Sequence, residues 1–398
     1  MKKIVGIIAA AALAASAFAE VNIGTWNRGV FEPFYYDGDT LRSFEGPSWE
    51  LSSNGGVRTG LGFSASSENA GMVMDIHANA GPSMGLGDNA YVWVKPVDML
   101  TVKFGKIDNN WGRLDHCFGT WDYARFNFGD AYLGEGLAGI GRNKGAGAEI
   151  TLQPVEGLVI DYEANFWDDN VDGDDDASTK PTNHTYETMW EHSSTMIGYQ
   201  ADFGFIRAII NGESAKTYKV DDEDTKPAAS IALAADITAV ENLVLKFGVK
   251  IPTYLQRADS YVNAAVAADY NLDALALHAN AVLNVLPKKV NDDGDVELGN
   301  IGAAFGVGAD FAFNDTWKLV ADFRFKTWTT DNSEAVYAGT TDEIKLEDPA
   351  FGAYLGLQQQ LTNATFAFGA QFGKRSMHTA NEADDFTFAV PLTMTVSF

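Results

Sequence analysis

Residues 386–398 read FTFAVPLTMTVSF. Phe386, Phe388, Val390, Leu392, Met394, Val396 and Phe398 fall on one set of alternate positions. The other set is Thr387, Ala389, Pro391, Thr393, Thr395 and Ser397. Successive side chains of a β-strand point to opposite faces, so this stretch predicts a strand with one face fully apolar and the other small or polar. Pro391 lacks an N–H and predicts a local defect in the ladder.

The same period of two recurs along the chain, in runs of about ten residues broken by Gly, Asn and Asp clusters. GVRTGLGFSAS (56–66), AGMVMDIHANA (70–80), LVIDYEANFW (158–167), LVLKFGVKI (243–251), TWKLVADFRFKTW (316–328) and TFAFGAQFG (365–373) all show it. Amphipathic helical spacing is nearly absent. A soluble sandwich also alternates, so the connections decide the class. Short links fall near 67–69, 96–99, 153–156, 203–204, 239–242, 270–273, 313–315 and 361–363. Longer polar ones lie between them, at 33–54, 81–88, 108–143, 168–194, 216–227, 252–259, 287–299, 330–349 and 376–384. This short/long rhythm predicts an all-β fold: a transmembrane antiparallel up-and-down β-barrel of about 18 strands, with 16 as the alternative.

Charge separates by face. Leu61, Phe63, Leu158, Ile160, Tyr162, Leu243, Leu245, Phe247, Leu275, Leu277, Phe305, Val307, Phe323, Phe366, Phe368 and Phe372 form the apolar set, and none is charged. The same strands carry Arg58, Asp75, Asp161, Glu163, Lys246, Lys250, Asp310 and Arg324 on the other set. Lipid outside and water inside produce this division, because a charge facing lipid at mid-bilayer costs about 2–4 kcal/mol. Aromatics near strand ends (Trp93, Trp167, Trp317, Trp328, Tyr261) suit interfacial girdles.

The chain opens MKKIVGIIAAAALAASAFAE, with two lysines, a short apolar run and Ala17-Phe18-Ala19. This predicts a signal peptide over 1–19 and a barrel over 20–398. Beyond it no run of 18 apolar residues exists. The single cysteine, Cys117, excludes an intramolecular disulfide. There are 28 Lys+Arg against 54 Asp+Glu, and loss of Lys2 and Lys3 with the signal takes the net charge from −26 to −28. Such a chain repels nucleic acid, so no nucleic-acid partner is expected.

With these residues in view, the chain resembles bacterial outer-membrane β-barrels of the porin type. Those proteins end in an aromatic residue preceded by alternating apolar residues, which the barrel-insertion machinery reads. Phe398, Val396 and Met394, with Leu392 and Val390, match that ending. The resemblance implies an outer-membrane location among outer-membrane lipids and a diffusion channel for small hydrophilic solutes or ions. It also implies a homotrimer and a third loop folded into the lumen. Here that loop, 108–143, carries Arg113, Asp115, Asp122 and Arg125, which would set a transverse field at the constriction. Lys246, Lys250, Lys318, Arg324 and Lys326 would line the opposite wall.

The remaining motifs read as ordinary surface. DDNVDGDDD (168–176) matches the first half of an EF-hand loop, but Thr179 stands where a bidentate Glu is required. Asp115-His116-Cys117 are sequence neighbours, whereas catalysis requires spatial convergence. The six histidines show no metal-ligand spacing. The reading is therefore a passive channel, not an enzyme, with no cofactor or metal. The alternative is a surface adhesin or structural barrel that binds partners through its long acidic loops.

Overall fold

Backbone N–H and C=O groups in strands of this kind must be paired on both edges, and here the pairing runs round into a ring. The computed structural model describes residues 20–36, 40–44, 57–78, 85–108, 147–165, 190, 193–216, 225–252, 262–290, 296–327, 349–374 and 386–398. Among them are twenty strands. These are β1 (Glu20–Tyr36), β2 (Leu41–Phe44), β3 (Val57–Ser66), β4 (Ala70–Ala78), β5 (Gly85–Val97), β6 (Leu100–Lys106) and β7 (Gly147–Leu152). Then come β8 (Leu158–Asn165), β9 (Ser193–Ala201), β10 (Gly204–Lys216), β11 (Thr225–Ile237), β12 (Leu243–Pro252), β13 (Val262–Leu272) and β14 (Leu275–Val290). The last are β15 (Val296–Ala312), β16 (Trp317–Lys326), β17 (Ala350–Gln360), β18 (Ala364–Lys374), β19 (Phe386–Ala389) and β20 (Leu392–Ser397).

From β3 to β18 each strand pairs antiparallel with the next in sequence. The ring closes at β1, which pairs with β3 on one edge and β20 on the other. The β1–β20 ladder runs from Trp26 opposite Ser397 to Phe31 opposite Leu392. Thr25 and Phe398 exchange both backbone hydrogen bonds, each 2.8 Å long. The fold is thus a closed antiparallel up-and-down barrel.

The count of twenty corrects the expected eighteen or sixteen. Both additional strands arise where one wall position is filled by two short pieces. β2 lies inside the expected 33–54 loop and pairs with β1 beyond the end of β3. β19 and β20 hold one common register against β18 but are parted at Val390 and Pro391. The twenty strands therefore occupy eighteen positions around the wall.

Proline explains most of the irregularity. The β1 register shifts between Glu32 and Tyr35, on either side of Pro33. That of β5 shifts between Val94 and Val97, at Pro96. The β14–β15 ladder shifts around Pro287 and then resumes, so these strands extend into the expected 287–299 loop. Proline cannot donate to a ladder, and a bulge absorbs the missing bond.

The two faces differ as the alternation requires. Phe247, Val307 and Leu355 are 47%, 49% and 53% exposed on the outer surface. Inward-pointing Glu149, Asp161, Asp322 and Arg324 are at most 4% exposed. Trp317 is on the outer set, but Trp93 corrects its girdle assignment. It points inward, opposite Lys103, and lies against Gly71. Trp167, Tyr261 and Trp328 lie outside the described residues.

Inward aromatics lie against glycines of their own or the neighbouring strand. The Tyr354 ring covers Gly356 and Gly369, where a Cβ at Gly369 would come 2.5 Å from Cε2. Trp26 covers Gly60 in the same way. Ring against bare backbone fills the wall without a void, and an added methyl has nowhere to go. Gly369→Ala is expected to lower the unfolding free energy by about 1–3 kcal/mol. Urea unfolding of the folded barrel, followed by tryptophan fluorescence, checks this against an unchanged Ala370→Gly control within about 1 kcal/mol.

Candidate functional site

The feature with chemistry in it is the inward wall. Register brings charged residues of neighbouring strands together there. Lys103 on β6 stands directly opposite Glu149 on β7, and their side chains form an ion pair. Glu149 in turn stands opposite Glu163 on β8, and Thr151 opposite Asp161. The Thr151 hydroxyl lies 3.3 Å from Glu149 Oε1 and 3.2 Å from Asp161 Oδ2. This part of the wall carries three carboxylates and one lysine.

Farther round, Arg207 on β10 donates to Asp236 on β11 at 2.9 and 3.4 Å, with its guanidinium over Phe205. Asp269 on β13 lies opposite His278 on β14, with Oδ1 2.6 Å from Nδ1. Asp310 on β15 accepts from Lys318 on β16 at 2.7 Å. On β16 itself Arg324 binds both oxygens of Asp322, at 3.3 and 2.7 Å, in the two-pronged geometry natural to a guanidinium and a carboxylate. Gly306 and Gly352 stand opposite Arg324 on the flanking strands and leave it room.

All five wall lysines and arginines singled out from the sequence point inward. Lys246 and Lys250 lie on β12, and Lys318, Arg324 and Lys326 on β16. Arg324 is 1% exposed and Asp322 4% exposed, so this pair belongs to the packed wall. Arg113, Asp115, Asp122 and Arg125 lie outside the described residues, as does most of 108–143. So do the 168–179 stretch and His116 with Cys117. The terminal strand's Met394 is exposed on the outer face, and Phe398 is 71% exposed beside the β1 seam.

Sequence reasoning missed Lys103, Glu149, Arg207, Asp236 and Asp269. It also missed a cluster on β1, β3 and β4: the guanidinium carbons of Arg28 and Arg58 lie 4.4 and 5.4 Å from the Trp26 ring centre. Local alternation identifies a face, but only register identifies the partner across it. The β1 pattern is also blunted, because Thr25, Asn27 and Gly29 occupy its outward set.

The charges are unevenly spread. The carboxylate-rich sector is at β7 and β8. Lys318, Arg324 and Lys326 on β16 are eight to nine positions away, about half of the ring. At one end of the barrel, seven of the eight short turns carry an exposed carboxylate: Glu68, Asp98, Glu156, Asp202, Glu241, Asp273 and Asp315. Among the described residues no group of three His, Cys, Asp or Glu is placed to hold a metal ion.

The Asp322–Arg324 pair is open to test. Asp322→Ala leaves a buried guanidinium without its carboxylate and is expected to cost about 3–5 kcal/mol. The double variant Asp322→Leu/Arg324→Met removes both charges and is expected to recover most of that loss. Urea midpoints of the two variants, measured side by side, decide it.

No family model and no curated protein matches this chain. Several solved structures are similar to it at low identity. "Outer-membrane expressed OmpT of Vibrio cholerae" is 12% identical with a TM-score of 0.49, over 96% of this chain and 98% of that one. The outer membrane protein OprD from Pseudomonas aeruginosa is 11% identical with a TM-score of 0.49, over 96% and 94%. The outer membrane channel DcaP of Acinetobacter baumannii is 13% identical with a TM-score of 0.45, over 96% and 98%. At these values the likenesses carry no weight, and the closed barrel stands on this chain's own strand pairing.

Proposed function

We propose that this chain is an outer-membrane diffusion channel of the porin type, passing small hydrophilic solutes or ions through a water-filled barrel. One observation carries the reading: a closed ring of eighteen wall positions has an apolar exterior and puts its charges inside. Only helices and closed barrels satisfy their backbone in hydrocarbon, and the apolar outer face is what lipid demands. Eight strands enclose a space that side chains fill, whereas a ring more than twice as large leaves room for water.

Transport in this reading is passive and no bond is made or broken. The wall lysines Lys318 and Lys326 on β16, about half a ring from Glu149, Asp161 and Glu163, give the lumen a transverse field, and Lys246 and Lys250 on β12 lie about a quarter-ring from those carboxylates. The third loop is proposed to enter the lumen and present Arg113, Asp115, Asp122 and Arg125 at its narrowest point. That part rests on the loop's length, its charges and the resemblance to porins. The same resemblance supports a homotrimer and a role for Phe398, Val396 and Met394 in recognition by the insertion machinery. The carboxylates of the short turns favour cations at that mouth.

Single-channel recording of the refolded protein, without residues 1–19, in a planar bilayer tests the reading. Fixed conductance steps that grow with salt concentration are expected. In a salt gradient, neutralising Lys246, Lys250 and Lys326 to Gln should move the reversal potential toward stronger cation preference. Arg113→Ala and Arg125→Ala should enlarge the steps if the third loop narrows the pore. A barrel that inserts and never conducts overturns the channel reading and directs attention to the surface loops.

A further inference from the structure

We propose that the outer wall over β9–β12 holds a site for one phospholipid whose headgroup ends in a primary ammonium, the ethanolamine type. The inference rests on the reading of that wall as lipid-facing.

The site is a groove of about 550 Å3 that crosses these four strands. Register sets its two sides. Tyr199 and Phe247 stand in one outward row, with Ala235 on the strand before Phe247. Ile197 and Leu233 stand in the next row, with Ala208 between them. The four large side chains are exposed, and the short alanines leave a depression among them. Between the rows runs the backbone of the inward set, at Gly198 and Gly248 among others. Inside the barrel the Phe205 ring lies against Gly198, so the floor is backed there and the groove opens outward.

An apolar depression of this size in a lipid-facing wall needs a filler. Its lining atoms lack partners on one side, and water finds no hydrogen bonds there. An acyl chain supplies those contacts. A chain lying in the groove touches both rows and the floor, where a smooth wall would touch it on one side only.

The headgroup follows from what lies at the turn end of the groove. Leu158, which also lines it, is two residues from Glu156, and Tyr199 is three from Asp202. The Tyr199 ring lies against Gly157, in the same turn as Glu156. A strand advances about 3.3 Å per residue, so both carboxylates stand within about 10 Å of the groove along the wall. The three neighbouring turns, 153–157, 202–203 and 238–242, carry exposed Glu156, Asp202 and Glu241 and no Lys or Arg. A primary ammonium offers three N–H donors to such carboxylates, and a quaternary ammonium offers none. A glycerol headgroup leaves the phosphate charge uncompensated beside three like charges.

The test uses the refolded barrel, without residues 1–19, in detergent and does not depend on conduction. Native mass spectrometry is run with equimolar phosphatidylethanolamine, phosphatidylcholine and phosphatidylglycerol of the same acyl chains. One retained lipid per barrel is expected, the ethanolamine form at least about threefold above each of the others. Ala208→Leu, which fills the groove, should lower retention of all three lipids. Ala353→Leu, outward on β17 and away from the groove, should leave it unchanged. The triple variant Glu156→Gln/Asp202→Gln/Glu241→Gln, confined to exposed turns, should still retain lipid but lose the headgroup preference. No retained lipid, equal retention of the three headgroups, undiminished retention in Ala208→Leu, or a stable oligomer that takes up none overturns the inference. A barrel that conducts and retains no lipid loses this site alone. One that retains the ethanolamine lipid and never conducts loses the channel reading alone.

Discussion

Everything in this structure depends on the seam where β1 meets β19 and β20. An open sheet presents two unpaired edges, and in hydrocarbon each unpaired N–H or C=O costs several kcal/mol. Reciprocal bonds between Thr25 and Phe398, and the ladder from Trp26 to Phe31, remove those edges. The defect at Val390 and Pro391 falls within this seam and is partly repaired. Val390 donates to Phe34 at 2.9 Å, and the Pro391 carbonyl accepts from Gly369 at 3.2 Å. Closure also fixes the phase of every strand, because a slip of one residue would turn its apolar face inward.

From that phase the functional wall follows. Once Phe305, Phe323 and Phe351 are held outside, Asp310, Asp322 and Arg324 have no direction but inward. They are accommodated by pairing across strands and by glycines opposite the bulkiest groups, such as Gly352 beside Arg324. Gly60 under Trp26 applies the same device to a ring. The wall is thus a mixed layer, with an apolar patch around Met196, Ile209 and Val282 beside polar stretches whose strongest charges are fixed by register.

The fold was legible because its two signals are local. The alternation in FTFAVPLTMTVSF and TWKLVADFRFKTW identifies the faces from side-chain types alone. The short links at 67–69 and 361–363 mark hairpins that the structure retains. What could not be read depended on distant neighbours. β2 is four residues long and exists because β1 extends past β3 to receive it. Trp93 resembled an interfacial aromatic by composition, yet the phase of β5 turns it toward Gly71. Lys246 and Arg324 fall on the inward set of the alternation, but the carboxylate bound to Arg324 follows only from side-chain geometry. The opposition of Arg28 and Arg58 is a fact of register between strands thirty residues apart in the chain.

The central claim is that alternate residues of each strand face lipid and interior. It is tested most directly on β17, by single cysteines at 351–358 in a Cys117→Ser background, labelled with bimane and reconstituted in brominated lipid. The account predicts quenching at Phe351, Ala353, Leu355 and Leu357, and little at Gly352, Tyr354, Gly356 and Gln358. Quenching of equal strength at all eight positions, or the inverse pattern, would contradict it.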